Sequence, residues 1–508
     1  MSTALSWSAR LPVPHSGTRP SATVWRGLAL AAAAFALYAG LAQDAFYRSD
    51  GHAALIAVYQ GDWTDGRHPW YRPILLLLTH VLTPMGLSPF EAVRLASALG
   101  TALAVFVWHQ AAARWMGPGR TAAIVGSSVL CAVAPANVFF ATVPEVHGVF
   151  LPFAAVAWWG GVRCAHAPTR ARFAALGAAT AMATQAHATG HFLLPVILAW
   201  VVAGRERKTP RLPVSRLGTA VAAHALLWTA LTLAFIAAGG QNPPATQLGF
   251  VDHHLELIRV TTDRSSCAAH LEGLAQCLLH DWLWPYLPVS LALLLTLSRQ
   301  RAHRSPAVVL TAAVALYVGL TWALVAGDER GAYLAPLVWP AAIGLAAHLR
   351  QRWIWTAALL GTGLAWHGVA EHDRPGGSPA YVTDLRAATT GERPLVLTAH
   401  PYEAEWLLRD AYDLWLRELN GWRRLTPDRL RQSCPQILDR LHQLSQTRDL
   451  YLGGLTALEL KEGPTPQGYL LWAQLESAFD MTLVTRRTFV AMRLETRQTD
   501  PTRKTTPP

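Results

Sequence analysis

Long apolar stretches without Asp, Glu, Lys or Arg recur along the first 370 residues. They lie at residues 27–43, 73–90, 95–113, 121–144, 146–162, 173–204, 217–251, 282–298, 305–327, 331–349 and 353–370. A helix that crosses a bilayer needs about 20 mostly apolar residues, because its backbone polar groups must pair within the segment. The pattern predicts a mostly α-helical, polytopic membrane domain over residues 24–370, preceded by a cytoplasmic segment over 1–23.

Three of these stretches contain breaks. His187, Thr189, Gly190 and His191 interrupt 173–204, which predicts two short helices. The run Gly239-Gly240-Gln241-Asn242-Pro243-Pro244 is a turn signal that begins a predicted outer loop over 239–284. The 73–90 stretch holds three prolines and is ambiguous: it either crosses the membrane, or lies on its surface or re-enters, in which case 43–90 forms another large outer loop.

The distribution of charge sets the predicted topology. If 73–90 does not cross, the cytoplasmic segments hold 18 basic residues and one acid, and the outer segments before residue 371 hold 13 acids and seven basic residues. Lys and Arg are enriched in cytoplasmic loops. The sequence therefore predicts about 11 spans, with the N-terminus cytoplasmic and the C-terminus outside. The first apolar run has no clear cleavage site and predicts a retained anchor.

Composition supports this division of the chain. Of the 508 residues only 15% are charged, against about 25% in soluble domains. The net charge of +11 belongs to residues 1–370, with 25 basic and 14 acidic residues, because residues 371–508 hold 18 of each. These values exclude a single soluble globule, a disordered chain and a fibrous repeat. No basic cluster alternates with stacking aromatics, so no nucleic-acid partner is expected.

The alternation of predicted strands and helices over residues 371–498 indicates a small α/β domain on the outer, periplasmic face. Strands are predicted over 394–399, 449–453 and 488–494, and helices over 402–419, 426–446 and 467–479. No G-x-G-x-x-G or P-loop motif is present, so a nucleotide site is not expected. The polar tail 499–508 is expected to be disordered.

Cys267 and Cys277 share the predicted outer loop 239–284, which is an oxidising location in a bacterial periplasm. Whether they form a disulfide is left open by their positions. No C-x-x-C spacing typical of a metal site occurs.

The first candidate for chemistry is Asp50, just after the first apolar run. A carboxylate near the membrane surface can accept a proton from a hydroxyl that enters from water, while a lipid-linked leaving group approaches from the bilayer. The alternative is a solvated aspartate or the N-cap of a helix beginning near His52.

Two further predicted outer turns carry ionisable residues. Glu145 lies in the turn 142–147, where it is either functional or an ordinary acid at a span end. Arg330 lies in the turn 327–331, where a guanidinium suits a phosphate that it can bind through two hydrogen bonds. Its alternative is an ion pair with Asp328 or Glu329.

His187 and His191 lie at the predicted break between two helices. They either line a cavity or form satisfied contacts at a helix interface, and the sequence favours neither.

The order of these motifs resembles the GT-C superfamily of polytopic membrane glycosyltransferases, and most closely its protein O-mannosyltransferase-like bacterial branch. The matching residues are Asp50, Gly51, Gly61, His68 and Pro69, then Glu145 and Val146, then Glu329 and Arg330 with Tyr333. The family's second turn is Glu-Val-Tyr, whereas here His147 follows Val146. In the family the late motif is Glu-Arg-Tyr, whereas here Gly331 and Ala332 separate Arg330 from Tyr333.

The resemblance implies a bacterial inner-membrane hexosyltransferase. Its donor would be a polyprenyl-phosphate sugar, its acceptor a hydroxyl of a protein or glycan, and its reaction inverting. Asp50 would be the general base, and Arg330 with Tyr333, His187 and His191 would bind the donor phosphate. Glu145, His147 and His68 would position the acceptor or the first loop.

No cofactor is implied beyond this donor and the membrane lipids. The family often has a second acid beside the first-loop aspartate, but here Gly51 and His52 follow Asp50, which disfavours a divalent metal.

Two other classes of function are compatible with the sequence. A transporter or flippase of lipid-linked sugar would show internal repeats with ionisable residues near the bilayer midplane, and no convincing repeat is present. A non-catalytic membrane scaffold with an outer binding domain would need neither Asp50 nor Arg330.

Overall fold

The computed structural model describes residues 21–44, 48–117, 119–203, 212–244, 317, 332–372, 394–398, 415–418, 427–462, 466–486 and 489–496. The chain divides into two compact units, Met1–His372 and Asp373–Pro508. The first is helical throughout its described residues, and the second combines helices with one sheet.

Twelve α-helices lie in the described part of the first unit. They are α1 (Ser21–Gly40), α2 (Arg48–Gln60), α3 (Tyr71–Leu82), α4 (Pro89–Met116), α5 (Thr121–Ala132), α6 (Pro135–Thr142), α7 (Val146–His166), α8 (Arg170–Ala186), α9 (Gly190–Ala203), α10 (Val214–Ala237), α11 (Val338–His348) and α12 (Gln351–His372). Short 3₁₀ helices cover Thr83–Met85 and Ala332–Leu337.

Four of the described helices, α1, α4, α7 and α10, are long and apolar enough to cross a membrane. The pair α5 and α6, bent by 52° where Pro135 begins the second helix, would make a fifth span. The prediction of about 11 spans is therefore not confirmed, and the predicted spans 282–298 and 305–327 lie outside the described residues.

Helix α3 has 12 residues, or about 18 Å at 1.5 Å per residue, and is shorter than a hydrocarbon core of about 30 Å. A turn through Gly86, whose φ is +88°, leads to Ser88, which caps α4 together with Glu91. The expectation that 73–90 does not cross the membrane stays a prediction.

Glycines bring the backbones of neighbouring helices close together. A Cβ added to Gly100 of α4 would lie 2.4 Å from the carbonyl oxygen of Gly148 in α7. One added to Gly177 of α8 would lie 2.1 Å from the carbonyl oxygen of Ala220 in α10. Small residues at such crossings are typical of helices packed in lipid, where association depends on close van der Waals contact.

Three buried indoles form an aromatic centre for the first unit. The rings of Trp158 and Trp339 have centroids 5.5 Å apart, and Trp200 packs against both. The indole N–H of Trp158 donates to the Pro336 carbonyl at 2.9 Å, and that of Trp339 donates to the Trp108 carbonyl at 3.2 Å. These bonds satisfy polar groups that would otherwise be costly to bury.

One end of this bundle, called here the loop end, is where α1, α8 and α10 finish and α7 and α9 begin. Gln43 ties it together, because its backbone N–H donates to the Thr142 carbonyl at 2.9 Å and its amide donates to the Thr142 hydroxyl at 2.6 Å. The amide oxygen of Gln43 also lies 2.7 Å from Nδ1 of His372, the last residue of α12.

Two predicted breaks are found at this end. Helices α8 and α9 stop and start around His187, as the polar residues within 173–204 predict. Helix α10 ends at Ala237, and Gly239 follows with φ of +98°, a conformation that glycine adopts without strain.

The second unit contains a five-stranded mixed sheet in the order β2-β1-β3-β5-β4. Its strands are β1 (Leu395–Thr398), β2 (Trp415–Glu418), β3 (Leu450–Gly453), β4 (Phe479–Arg486) and β5 (Phe489–Thr496). Strand β1 pairs in parallel with β2 and β3, whereas β5 is antiparallel to β3 and β4.

The helices of the second unit are α13 (Pro427–Ser445), α14 (Gly454–Glu462) and α15 (Pro466–Ala478). The core holds aliphatic residues of the sheet and helices, with Phe479 and the free, buried Cys434. The strands predicted over 394–399, 449–453 and 488–494 each coincide with a strand. The helix predicted over 402–419 is wrong at its end, where 415–418 forms β2, and β4 and α14 were not predicted.

Candidate active site at the loop end

Ion pairs shape the loop between α2 and α3. Arg72 lies between two carboxylates, with Nη1 at 2.5 Å from Oδ2 of Asp62 and Nη2 at 3.2 Å from Oδ2 of Asp65. Asp65 also accepts from the backbone N–H and guanidinium of Arg67. The two acids and two guanidiniums balance in charge and fold the loop onto the start of α3.

These contacts favour the ionised carboxylates. Burial raises the pKa of Asp65, but Arg67 and Arg72 outweigh it and hold the pKa below its usual range. Partial burial likewise opposes ionisation of Asp62, and hydrogen bonds from Thr64 together with Arg72 lower its pKa. The loop is thus stabilised by charge at neutral pH.

Backbone hydrogen bonds attach the same loop to α8 and α10. The N–H of Trp70 donates to the Gln185 carbonyl at 3.1 Å, and the N–H of Gln241, just after α10, donates to the Thr64 carbonyl at 2.9 Å. The ring of Trp63 packs edge-on against Phe235 of α10, with centroids 5.5 Å apart. The loop is therefore built into the loop end on two sides.

Three histidines from separate segments stack where this loop meets the helix ends. His68 lies parallel to His187 with ring centroids 4.8 Å apart, and His147 lies on His187 at the same centroid distance. Nδ1 of His187 is 2.8 Å from the Thr189 hydroxyl. The structure thus brings together three of the histidines that sequence analysis had singled out.

Burial lowers the pKa of His68 to about 3, against which Asp65 acts in the opposite direction. Its Nδ1 is buried and has no hydrogen-bond partner in the described part of the chain. His68 is therefore a neutral ring at physiological pH, and in that state it adds no positive charge for binding a phosphate.

His191 takes part in a different arrangement, between α9 and α10. Its Nδ1 lies 3.0 Å from Nε2 of His224, and Nδ1 of His224 lies 2.9 Å from the Thr180 hydroxyl of α8. The ring of Trp228, one turn after His224, packs edge-on against His191 with centroids 5.1 Å apart.

Glu145 is buried and is the N-cap of α7. Its carboxylate accepts from the N–H of Val146 at 2.8 Å, and its backbone exchanges hydrogen bonds with the Ser97 hydroxyl. A carboxylate at a helix N-terminus is favoured by the unpaired N–H groups and the helix dipole. Glu145 therefore has a structural role, which is to fix the start of α7.

Other predicted site residues are described in part or not at all. Asp50 lies in the first turn of α2, which begins at Arg48, so the alternative of an N-cap for a helix near His52 is wrong. Tyr333 lies in the 3₁₀ helix Ala332–Leu337. Arg330, Cys267 and Cys277 fall outside the described residues, as does most of the predicted loop 239–284.

Several residues of this region were missed by sequence analysis. His224 was the clearest omission, because a single histidine within an apolar run is a signal of a buried polar contact. Gln185, Trp228 and Arg72 gave no comparable signal, since their roles depend on neighbours distant in sequence. Among the described residues no group of three or more His, Cys, Asp or Glu side chains could hold a metal ion.

The fold is similar to that of ArnT from Cupriavidus metallidurans in the apo state. The TM-score is 0.54 at 14% sequence identity, over 93% of this chain and 98% of that chain. The same protein bound to undecaprenyl phosphate gives 0.48 at 15% identity, over 93% and 98%. The apo oligosaccharyltransferase of Archaeoglobus fulgidus gives 0.49 at 12% identity, over 94% of this chain and 75% of that chain.

No family model matches the sequence, and a search of the curated proteins gives no match. The similarity to apo ArnT shows that this chain shares the fold of that protein. The mannosyltransferase-like branch to which the motifs point is not confirmed. At this level of identity the likeness concerns the fold alone, and activity must be argued from the residues.

Proposed function

We propose that this protein is an integral membrane glycosyltransferase that moves a sugar from a polyprenyl-phosphate donor to an acceptor hydroxyl. The observation that carries the proposal is the order of Asp50, Glu145 and Arg330 along the chain, which follows the motifs of the GT-C glycosyltransferases. The similarity of fold to apo ArnT over nearly the whole length of both chains is compatible with the same reaction.

In the proposed reaction the acceptor oxygen attacks the anomeric carbon with inversion. The bond from that carbon to the phosphate oxygen breaks, polyprenyl phosphate leaves, and Asp50 takes the proton of the acceptor hydroxyl. Arg330, with Tyr333, would stabilise the charge that develops on the leaving phosphate. No metal is needed for these steps.

The loop from Asp62 to Arg72 would support this site by positioning rather than by chemistry. Its ion pairs and its bonds to α8 and to the residues after α10 hold it in one conformation, and it connects directly to α2, which carries Asp50. His68, His147 and His187 would form the packed base of the loop, and Glu145 would fix the start of α7 beside it.

The proposal includes the location of the site. The charge pattern supports a bacterial inner-membrane protein with a cytoplasmic N-terminus, with the loop end and the C-terminal unit on the periplasmic side. The acceptor would be a protein or glycan that reaches this side from water, and the donor would arrive through the lipid.

The decisive experiment compares the purified protein with Asp50→Asn, using radiolabelled polyprenyl-phosphate hexose and cell-envelope acceptors. A proton-transfer group typically contributes about 10²–10⁴-fold, so only trace transfer should remain in the variant. Asp44→Asn is the matched control, because it removes the same charge nearby from an exposed carboxylate that pairs with Arg94. Equal transfer by Asp50→Asn and wild type would remove the assigned base.

A further inference from the structure

The contacts of His224 determine which of its ring nitrogens carries the proton. The Thr180 hydroxyl lies 2.9 Å from both the Gly177 carbonyl and Nδ1 of His224. The carbonyl oxygen can only accept, so the hydroxyl donates its proton to it and accepts from Nδ1, which therefore carries the proton of the ring. In the neutral ring Nε2 is then an acceptor.

This assignment fixes the neighbouring ring as well. Nδ1 of His191 lies 3.0 Å from Nε2 of His224 and must donate to it. Neutral His191 therefore has a lone pair on Nε2, the opposite edge of the ring. His191 is only half-buried, and no hydrogen bond reaches its Nε2 from the described residues.

A second unused acceptor belongs to Gln185, whose side chain contacts the backbone of Trp228. The amide nitrogen of Gln185 faces the Trp228 carbonyl at 3.4 Å and the Thr232 hydroxyl at 3.3 Å. Because that carbonyl can only accept, the amide is correctly oriented, and Oε1 points elsewhere. Gln185 is 1% exposed, and its Oε1 has no partner in the described part of the chain. Burying such an acceptor without a donor is costly.

His224 precedes the end of α10 by 13 residues, which corresponds to about 20 Å of helix. The contact between His191 and His224 therefore lies about that far from the end of α10. The ring of Trp228, which is half-buried, packs against His191 and offers an aromatic surface beside it.

We infer that His191 and Gln185 accept hydrogen bonds from hydroxyl groups of a sugar ring that packs against Trp228, with Thr180 and His224 orienting His191. This inference rests on the proposed function, in which a lipid-linked sugar enters the loop end. It replaces the expectation that His191 binds the donor phosphate, because two lone pairs attract hydroxyl donors and repel phosphate oxygens. His191 acts here as a positioning and specificity residue.

The orientation of the two rings has a direct spectroscopic test. Solid-state NMR of the protein labelled with ¹⁵N-histidine, in liposomes, distinguishes Nδ1–H from Nε2–H tautomers. Subtracting the spectra of His191→Gln and His224→Gln variants assigns the two residues. Both should be Nδ1–H tautomers, and Thr180→Val should change the signal of His224. An Nε2–H tautomer at His191 would overturn the inference whatever the enzyme transfers.

Binding measurements distinguish a contact of His191 with the sugar from a contact with the phosphate. In nanodiscs, His191→Leu should weaken the binding of undecaprenyl-phosphate hexose by about 3–10-fold, the value of one hydrogen bond. It should change the binding of undecaprenyl phosphate by less than about 2-fold. His191→Gln retains an acceptor oxygen and should restore most of the affinity for the sugar lipid, which a loss of folding would not.

Each other outcome has a distinct meaning. An equal loss of affinity for both lipids in His191→Leu would place the residue at the phosphate and overturn the inference, while leaving the proposed function intact. Unchanged affinity for both lipids would do the same. A wild-type protein that binds neither lipid would overturn the proposed function, and the inference about its sugar with it.

Discussion

Nη2 of Arg72 and Oδ2 of Asp65 lie 3.2 Å apart, and only 13% and 10% of the two side chains are exposed. At this depth the two charges depend on each other, because a charge left unpaired after losing its partner retains the cost of desolvation. Within the α2–α3 loop, loss of this pair should therefore lower the free energy of unfolding most.

We expect Arg72→Gln to lower the free energy of unfolding by about 2 kcal/mol, since Asp62 and Asp65 would both lose this cation. Denaturation in mixed micelles followed by circular dichroism measures the change. Arg431→Gln is the control, because its ion pair with Asp428 is largely exposed and should be worth less than about 1 kcal/mol. Equal effects of the two variants would contradict this account of the loop.

The buried ring of His68 predicts a dependence on pH. Its pKa is lowered from 6.5 to about 3, so between these values the unfolded chain binds a proton that the folded protein does not. Stability from the neutral ring is present above pH 6.5 and is lost as the pH falls toward 3, by at most about 1.4 kcal/mol per pH unit.

Thermal unfolding between pH 7.5 and 4.5 tests this sign. Compared with wild type, His68→Phe should lose less stability on acidification, because it cannot take up this proton when it unfolds. His80→Phe, which replaces an exposed histidine of α3, is the control for the change from histidine to phenylalanine. A His68→Phe slope as steep as that of wild type would show that the ring is protonated in the folded protein.

The close contact between α8 and α10 predicts a cost for a single methyl group. In Gly177→Ala the new Cβ would lie 2.1 Å from the carbonyl oxygen of Ala220 and 2.9 Å from the backbone nitrogen of His224, so the helices must separate. We expect a loss of about 1–3 kcal/mol, as for overpacked cores, and a changed NMR signal of His224.

Gly218→Ala, on the partner helix α10, is the matched control. Its added Cβ would have no atom of the described residues within 4 Å, and replacing a helical glycine with alanine should be neutral or slightly stabilising. If both glycine variants behave alike, the contact at Gly177 is not tight.

The role proposed for Arg330 predicts a specific kinetic defect. Arg330→Gln should lower the rate of sugar transfer by about 10²-fold or more, the typical cost of removing one group that stabilises developing charge. Arg330→Lys should retain part of the activity, since lysine keeps the positive charge but cannot form the bidentate hydrogen bonds of a guanidinium. Arg350→Gln, at an exposed position predicted to be cytoplasmic, should transfer normally. Wild-type transfer by Arg330→Gln would exclude the role.

The predicted topology can be checked by labelling single cysteines in intact spheroplasts. Asp44→Cys and Arg170→Cys are both exposed, and they lie on opposite sides of the membrane if the predicted orientation is correct. A membrane-impermeant maleimide should label the first and spare the second, in a background lacking the native cysteines. The reverse pattern would invert the whole arrangement.

Local signals in the sequence predicted the helical unit and its breaks. His187, Thr189 and Gly190 interrupt an apolar run and mark the α8–α9 break, and Gly239 marks the end of α10. The α5–α6 bend was missed, although Pro135 supplies its signal, because 121–144 has the length and apolar composition of one span.

Contacts between distant residues could not be predicted in this way. The pairing of His191 with His224 and the stacking of His68 on His187 depend on how helices pack, and no local pattern encodes that packing. The sequence identified His191 as a site candidate, but its chemical role follows from which ring nitrogen faces His224. The end of the predicted helix 402–419 was wrong for a related reason, since pairing with β1 makes 415–418 a strand.

The hydrogen bond between Gln43 and His372 joins residues separated by 329 positions. During synthesis Gln43 leaves the ribosome long before His372 exists, so its bonds to Thr142 can form first, and its bond to His372 can form only after the last helix of the unit has been inserted. The loop end therefore closes in two stages, and the second stage waits for residue 372 to be made.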